Sequence, residues 1–191
     1  MIMRYLPVPS KARKTPMQTA LYLIFWLFIA ALVMFFAALS SAYLVKRGDA
    51  DWMTIKLPMV FGISTIVAVV CSACGEYAFW QYKRGVFSCV VRGLSFNLAL
   101  GLLFLTLQWG AWRSLVANNI FLVGHPSGSF IYILSGAHAV HVTGGLLFLL
   151  FCLISLRVKR KQMYRFEICR NYWHFLTLLW LYLYIFLYLN K

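Results

Sequence analysis

Two histidines three residues apart, His138 and His141, are the side chains in this sequence with the most obvious chemical potential. An imidazole can bind a metal or haem iron and can accept or release a proton near neutral pH. Both lie in residues 130–150, FIYILSGAHAVHVTGGLLFLL, and no Asp, Glu, Lys or Arg occurs between Arg113 and Arg157. Because an imidazole facing lipid is costly, both rings are expected to point into protein, and their spacing places them on one helix face.

His174 and Glu167 are the other candidates for chemistry, and their seven-residue spacing also places them on one helix face. At 1.5 Å per residue, His141 lies about 17 Å and His174 roughly 22 Å from the same membrane surface. The two imidazoles can therefore approach each other near the middle of the membrane. Tyr172 and Thr143 are candidate partners for them.

Three interpretations compete for these residues. His141 and His174 could bind one haem of a b-type membrane cytochrome, which would leave His138 without a facing partner. The three histidines and Glu167 could bind a non-haem metal, but the closely clustered histidines of a desaturase are absent. The preferred interpretation is that they are buried polar side chains which hydrogen-bond across helices and fix the packing. No catalytic, cofactor-binding or metal-binding residue is assigned to this chain.

The cysteines do not add a metal site. Cys71 and Cys74 form one CxxC motif inside an apolar segment, and no second pair completes a zinc site. Buried free cysteine behaves as a small hydrophobic residue, and this is the interpretation given to all five cysteines: Cys71, Cys74, Cys89, Cys152 and Cys169.

The composition is that of a membrane protein. Hydrophobic residues make up 63% of the 191 residues and charged residues 12%, compared with about 25% in soluble domains. The net charge of +14 does not indicate nucleic-acid binding, because Lys and Arg concentrate between the apolar segments. No segment alternates with the period of two that a membrane β-barrel needs. No internal repeat supports a transporter.

Five apolar segments are long enough to cross a bilayer, at about residues 17–45, 57–81, 88–112, 130–156 and 167–189. The predicted fold is all-α, a bundle of five transmembrane helices over residues 17–191, preceded by a basic arm over residues 1–16. Pro58 suits the start of the second helix. Gly136, Gly144 and Gly145 are expected to let neighbouring helices approach the fourth.

The distribution of basic residues predicts the orientation. Of the 18 Lys and Arg, five lie on the side of the C-terminus, at Lys46, Arg47, Lys56, Arg113 and Lys191. The other 13 lie in the N-terminal arm and in the two loops on its side of the membrane. Because positively charged loops stay in the cytoplasm, the N-terminus is predicted to be cytoplasmic and the C-terminus outside.

Several motifs resemble one known family, subunit III of the haem–copper terminal oxidases, in its short five-helix bacterial form. SGAHAVHVTGG at residues 135–145 resembles the two-histidine helix of these proteins. Glu167, followed by NYWHF at 171–175 and WLYLY at 180–184, resembles their last helix. Further matches are VMFF at 33–36, Ala42 and Tyr43, Leu100 and Gly101, Phe104 and Leu105, Gln108, Trp112, and Gly128 to Phe130.

The resemblance implies a non-catalytic core subunit of a proton-pumping respiratory oxidase that reduces O2 to water, in a bacterial plasma (inner) membrane. It implies haem and copper in subunits I and II, none in this chain, and bound phospholipid. Its partners would be subunit I directly, subunit II, small subunits and membrane lipids, with no nucleic acid. Whether the oxidase joins a supercomplex (respirasome) that supplies cytochrome c is left open by the sequence. Cytochrome c is the expected donor; a quinol oxidase is the alternative. The residues expected to have structural and interface roles are His138, His141, Glu167, Tyr172, Trp173, His174 and Trp180.

Three positions depart from the family pattern. Leu32 stands just before the VMFF segment, where these proteins commonly carry a Glu. Ala111 and Thr177 stand at two other positions that are often acidic. A buried carboxyl in the membrane is the kind of group that influences proton uptake, so that role is not transferred to this chain.

Overall fold

The computed structural model describes residues 15–49, 52–158 and 163–190. Its main elements are five α-helices, each long and apolar enough to cross a membrane. The prediction of an all-helical fold with five spans is therefore confirmed. Most of the predicted N-terminal arm lies outside the described residues, as do Asp51, Lys191 and residues 159–162. The helices are α1 (Pro16–Lys46), α2 (Met59–Lys83), α3 (Phe87–Ala117), α4 (Pro126–Val158) and α5 (Met163–Leu189).

Local sequence explains where the first two helices begin. The Thr15 hydroxyl accepts a hydrogen bond from the Gln18 backbone N–H, and the Gln18 side chain accepts one from the Thr15 N–H. This reciprocal capping satisfies two backbone donors at the helix start. Pro58 immediately precedes α2, as predicted, because proline is tolerated where a helical N–H would have no partner.

Three helix ends extend beyond the predicted boundaries by four or five residues. Helix α3 continues to Ala117 and α4 begins at Pro126, so the loop predicted for residues 117–129 shrinks to residues 118–125. Helix α5 begins at Met163, and Glu167 therefore lies within the helix rather than at its start. Hydropathy marks the hydrocarbon part of a span, whereas the helical hydrogen bonds continue into the polar boundary beyond it.

Helices α2, α3, α4 and α5 form a ring in which each packs against the next, and α5 closes the ring against α2. Helix α1 lies outside this ring, along α4 and α5. The buried residues of α1 recur every three or four positions, as one helix face requires. They are Phe25, Ile29, Leu32, Phe36, Ser40 and Tyr43.

Glycine controls how closely the helices approach at two positions. A Cβ atom on Gly101 of α3 would lie 2.6 Å from the Leu146 Cδ2 atom and 3.0 Å from the Trp173 ring. A Cβ atom on Gly145 of α4 would lie 3.0 Å from the Leu176 Cδ1 atom, which confirms the prediction for this residue. The same prediction is wrong for Gly136 and Gly144, because no described atom of another helix lies within 4 Å of a Cβ built there.

Candidate functional site

His138 lies at the centre of the helix ring and is 1% exposed. Its Nε2 atom lies 3.1 Å from the Leu176 carbonyl oxygen of α5. Since a carbonyl oxygen only accepts, Nε2 carries the hydrogen and donates this bond. The ring centroid lies 4.9 Å from that of Trp180 and 5.7 Å from that of Phe104. His138 therefore connects α4 to α3 and α5.

Two tryptophans of α5 donate hydrogen bonds to the neighbouring helix, α2. The Trp180 indole N–H donates to the Thr65 hydroxyl at 3.0 Å, and its ring stacks on Phe61 with centroids 5.9 Å apart. The Trp173 indole N–H donates to the Cys71 sulfur at 3.1 Å. Because a buried indole N–H needs an acceptor, these two bonds fix both the rotation and the height of α5 against α2.

His141 contacts a different neighbour from His138. Its ring lies against α1, with centroids 5.8 Å from Phe36 and 6.5 Å from Phe35. Its Nδ1 atom lies 2.7 Å from the Ala137 carbonyl oxygen of its own helix. The three-residue spacing separates the two rings enough that one contacts α3 and α5 while the other contacts α1. The prediction that they share one face is therefore too simple.

The predicted partners of His141 contact the backbone rather than the imidazole. The Tyr172 hydroxyl donates to the His141 carbonyl oxygen at 3.2 Å, which joins α5 to α4. The Thr143 hydroxyl donates to the Ala139 carbonyl oxygen at 2.9 Å, one turn back on its own helix. The Tyr172 bond therefore joins two helices, whereas the Thr143 bond lies within α4.

His174 lies where α5 meets α2, and both ring nitrogens have partners on α2. The Ser72 hydroxyl lies 2.5 Å from Nδ1, and the Glu76 carboxylate lies 2.9 Å from Nε2. Arg170, one turn before His174, lies 3.5 Å from the same carboxylate. These four residues, named the seam cluster below, remain open, since the side chains of His174 and Glu76 are 34% and 49% exposed.

Glu167 is not the acidic partner of His174, although the two share a helix. The Tyr22 hydroxyl of α1 donates a hydrogen bond to the Glu167 carboxylate. This contact connects α1 to α5 close to the membrane surface where α5 begins. The carboxylate that contacts His174 comes instead from Glu76, a residue 98 positions earlier in the sequence.

The arrangement does not fit a haem between His141 and His174, because the first ring packs against α1 and the second against Ser72 and Glu76 of α2. Across the described residues, no group of three or more His, Cys, Asp or Glu is placed to bind a metal ion together. The geometry supports the interpretation of these histidines as side chains that hydrogen-bond and pack between helices.

Sequence reasoning missed the side chains of α2 and α3 that complete these contacts. Ser72 and Glu76 are four residues apart on one face of α2, and that spacing was a usable signal for a polar surface facing another helix. Asn97 of α3 is 2% exposed and its side-chain oxygen accepts a hydrogen bond from the Cys71 thiol. Cys71 therefore takes part in polar contacts as well as in apolar packing.

Five membrane-spanning helices define a polytopic integral membrane protein. Histidine and tryptophan hydrogen bonds connect α2, α4 and α5 near its centre. The family model for cytochrome c oxidase subunit III matches residues 10–191. The chain belongs to this family, a group of haem–copper oxidase subunits, and the resemblance drawn from its motifs is confirmed. Membership places the chain in an oxidase complex with other subunits.

Individual relatives support the assignment. Cytochrome c oxidase subunit 3 of Bacillus sp. (strain PS3) is 27% identical over 176 residues, which cover 88% of this chain and 84% of the relative. The Corynebacterium diphtheriae protein of the same name is 28% identical over 174 residues, which cover 84% of this chain and 83% of the relative. The Anopheles gambiae protein is 30% identical, but the match covers only 53% of its length, compared with 74% of this chain.

Proposed function

We propose that this chain is a non-catalytic core subunit of a proton-pumping oxidase that takes electrons from cytochrome c and reduces O2 to water. Subunits I and II of that complex carry the haem and the copper. This chain packs against subunit I in the bilayer, stabilises it, and shapes the lipid and water around the point where protons enter.

The observation that supports this proposal is that the candidate residues form hydrogen bonds between helices. The Nε2 atom of His138 and both ring nitrogens of His174 contact other helices. The indole N–H groups of Trp173 and Trp180 contact α2. Side chains committed to such contacts hold helices in place rather than hold a substrate. Position 32, where these proteins commonly have a glutamate, is a leucine that is 6% exposed on the face of α1 towards the ring.

The outer surface supports a role among partners and lipid. Large apolar side chains are exposed along the helices, including Leu27 at 70% and Met34 at 74% on α1. Such a surface is stable only against lipid tails or the apolar face of another protein. Phospholipid and the helices of subunit I are the proposed occupants.

The proposed location is the inner membrane of a bacterium, with the N-terminus in the cytoplasm. A reporter that is active only in the cytoplasm should work when fused to the N-terminus and fail when fused to the C-terminus. The opposite pattern would refute the orientation.

The direct test is purification of the full chain from its native membrane in mild detergent, followed by mass spectrometry. We expect oxidase subunits I and II to be recovered with it in equal amounts. The variant His138→Leu should lower the yield of complex, while turnover per assembled complex stays normal. The control His125→Leu, in the exposed loop before α4, should change neither the yield nor the turnover. Normal yield with lost turnover in the His138 variant would contradict a packing role.

A further inference from the structure

A small cavity lies at the centre of the helix ring, between α2, α3, α4 and α5. Its volume is about 20 Å³, and the ten residues that line it are all buried. Its polar lining comes from His138, Cys71, Thr177 and the indoles of Trp173 and Trp180. One enclosed water molecule needs about 10–15 Å³ of such space, so the cavity is large enough for one.

His138, which lines this cavity, has a ring nitrogen without a hydrogen bond among the described residues. A neutral imidazole has one N–H group and one acceptor nitrogen. Because Nε2 donates to the Leu176 carbonyl oxygen at 3.1 Å, Nδ1 is the acceptor. Nδ1 is enclosed, and no described atom is placed to bond with it. A buried acceptor without a hydrogen bond is costly, so a donor is expected beside it.

The polar hydrogens of the other lining side chains are already used. The indole N–H groups of Trp173 and Trp180 donate to side chains of α2, and the Cys71 thiol donates to a side chain of α3. The Thr177 hydroxyl has one hydrogen and donates it to a carbonyl oxygen one turn back, at 3.1 Å. Its oxygen keeps lone pairs that can accept. The described lining side chains therefore have no hydrogen left for His138 Nδ1.

We propose that the cavity binds one water molecule, which donates one hydrogen to His138 Nδ1 and the other to the Thr177 hydroxyl oxygen. Two such bonds meet the minimum that an enclosed water requires. His138 is then joined to α5 twice, directly through the Leu176 carbonyl and through the water to Thr177. This site goes beyond the proposed function, because it is formed by this chain alone and does not depend on a partner subunit.

Other occupants suit the lining less well. None of the described lining residues is acidic, and an enclosed cation without a counter-charge is costly. An apolar molecule has no hydrogen to donate and would leave Nδ1 without a bond. Water supplies the hydrogens, and holding one molecule in place costs little free energy compared with an unpaired buried acceptor.

The experiment is a high-resolution cryo-electron microscopy map of the full chain in the complex in which it is purified from its native membrane. We expect a peak for one water oxygen within about 3.2 Å of both His138 Nδ1 and Thr177 Oγ1. The proposal is overturned if the map shows other enclosed waters but no peak at this position. The result does not depend on which subunits co-purify, so the site and the proposed function can fail separately.

Thr177→Val provides the variant, and Thr143→Val is its matched control. Each change replaces a hydroxyl by a methyl group in a side chain of similar shape. Thr177→Val removes one of the two partners of the water, and the peak should be lost. The Thr143 hydroxyl bonds within α4 and does not line the cavity, so Thr143→Val should leave the peak unchanged.

An undiminished peak in Thr177→Val would also overturn the proposal. If Thr177→Val does not assemble, the map of the unmodified complex decides alone, through the presence or absence of the peak beside His138.

Discussion

His138 and His174 differ in what surrounds them, although both are histidines of membrane-spanning helices. His138 is 1% exposed, packs between two aromatic rings and donates to a backbone carbonyl. The His174 side chain is 34% exposed and contacts a hydroxyl and a carboxylate of α2. The first environment suits a fixed neutral ring. The second is a partly exposed contact between two helices.

The difference predicts that the two sites contribute unequally to the stability of the bundle. In the enclosed centre, a buried polar atom without a hydrogen bond would destabilise the fold strongly, so each hydrogen bond there matters for stability. The surrounding aromatic rings add close packing. In the seam cluster the side chains are partly exposed, so each contact is expected to contribute little to stability. Substitutions at the two sites should therefore have effects of very different size.

The largest effect is expected for Trp180→Ala at the enclosed centre. This change removes a side chain that is 1% exposed, its ring contacts with Phe61, Phe104 and His138, and its bond to Thr65. The loss should be about 3–5 kcal/mol of unfolding free energy, measured by thermal unfolding in detergent. Leu178→Ala, which removes a side chain 66% exposed on the same helix, should stay within about 1 kcal/mol.

Gly101→Ala tests whether the centre is packed as tightly as described. Its new methyl would lie 2.6 Å from Leu146 and 3.0 Å from Trp173, so the neighbouring side chains must move. The expected cost is about 1–3 kcal/mol. Gly110→Ala on the same helix has no described neighbour within 4 Å and should be neutral or more stable by up to about 1 kcal/mol. Equal effects of the two substitutions would contradict a tightly packed centre.

Substituting the two histidines by leucine compares the sites directly. His138→Leu removes the bond to the Leu176 carbonyl and should cost about 1–2 kcal/mol. His174→Leu removes partly exposed contacts and should cost about 0–1 kcal/mol. Parallel melts of both variants in the same detergent measure the difference. A larger loss of unfolding free energy for His174→Leu than for His138→Leu would contradict the conclusion that His138 stabilises the bundle more.

The sequence predicted the fold better than it predicted the contacts. An apolar segment of about 20 residues has few alternatives to a transmembrane helix, so the number and order of the helices follow from composition alone. Spacing placed His138 and His141 on neighbouring positions of α4, but it contains no information about which helix lies opposite each ring. The partners of His174 come from α2, about 100 residues away, and only the tertiary packing brings them together.

The visible absorption spectrum of the chain, separated from its co-purifying subunits and kept folded in detergent, tests the central claim most directly. Because the imidazoles of His138, His141 and His174 are placed for contacts with protein, the separated chain should be colourless while the haem absorbance stays with the other subunits. A b-type Soret band in the separated chain would contradict a purely structural role for these histidines.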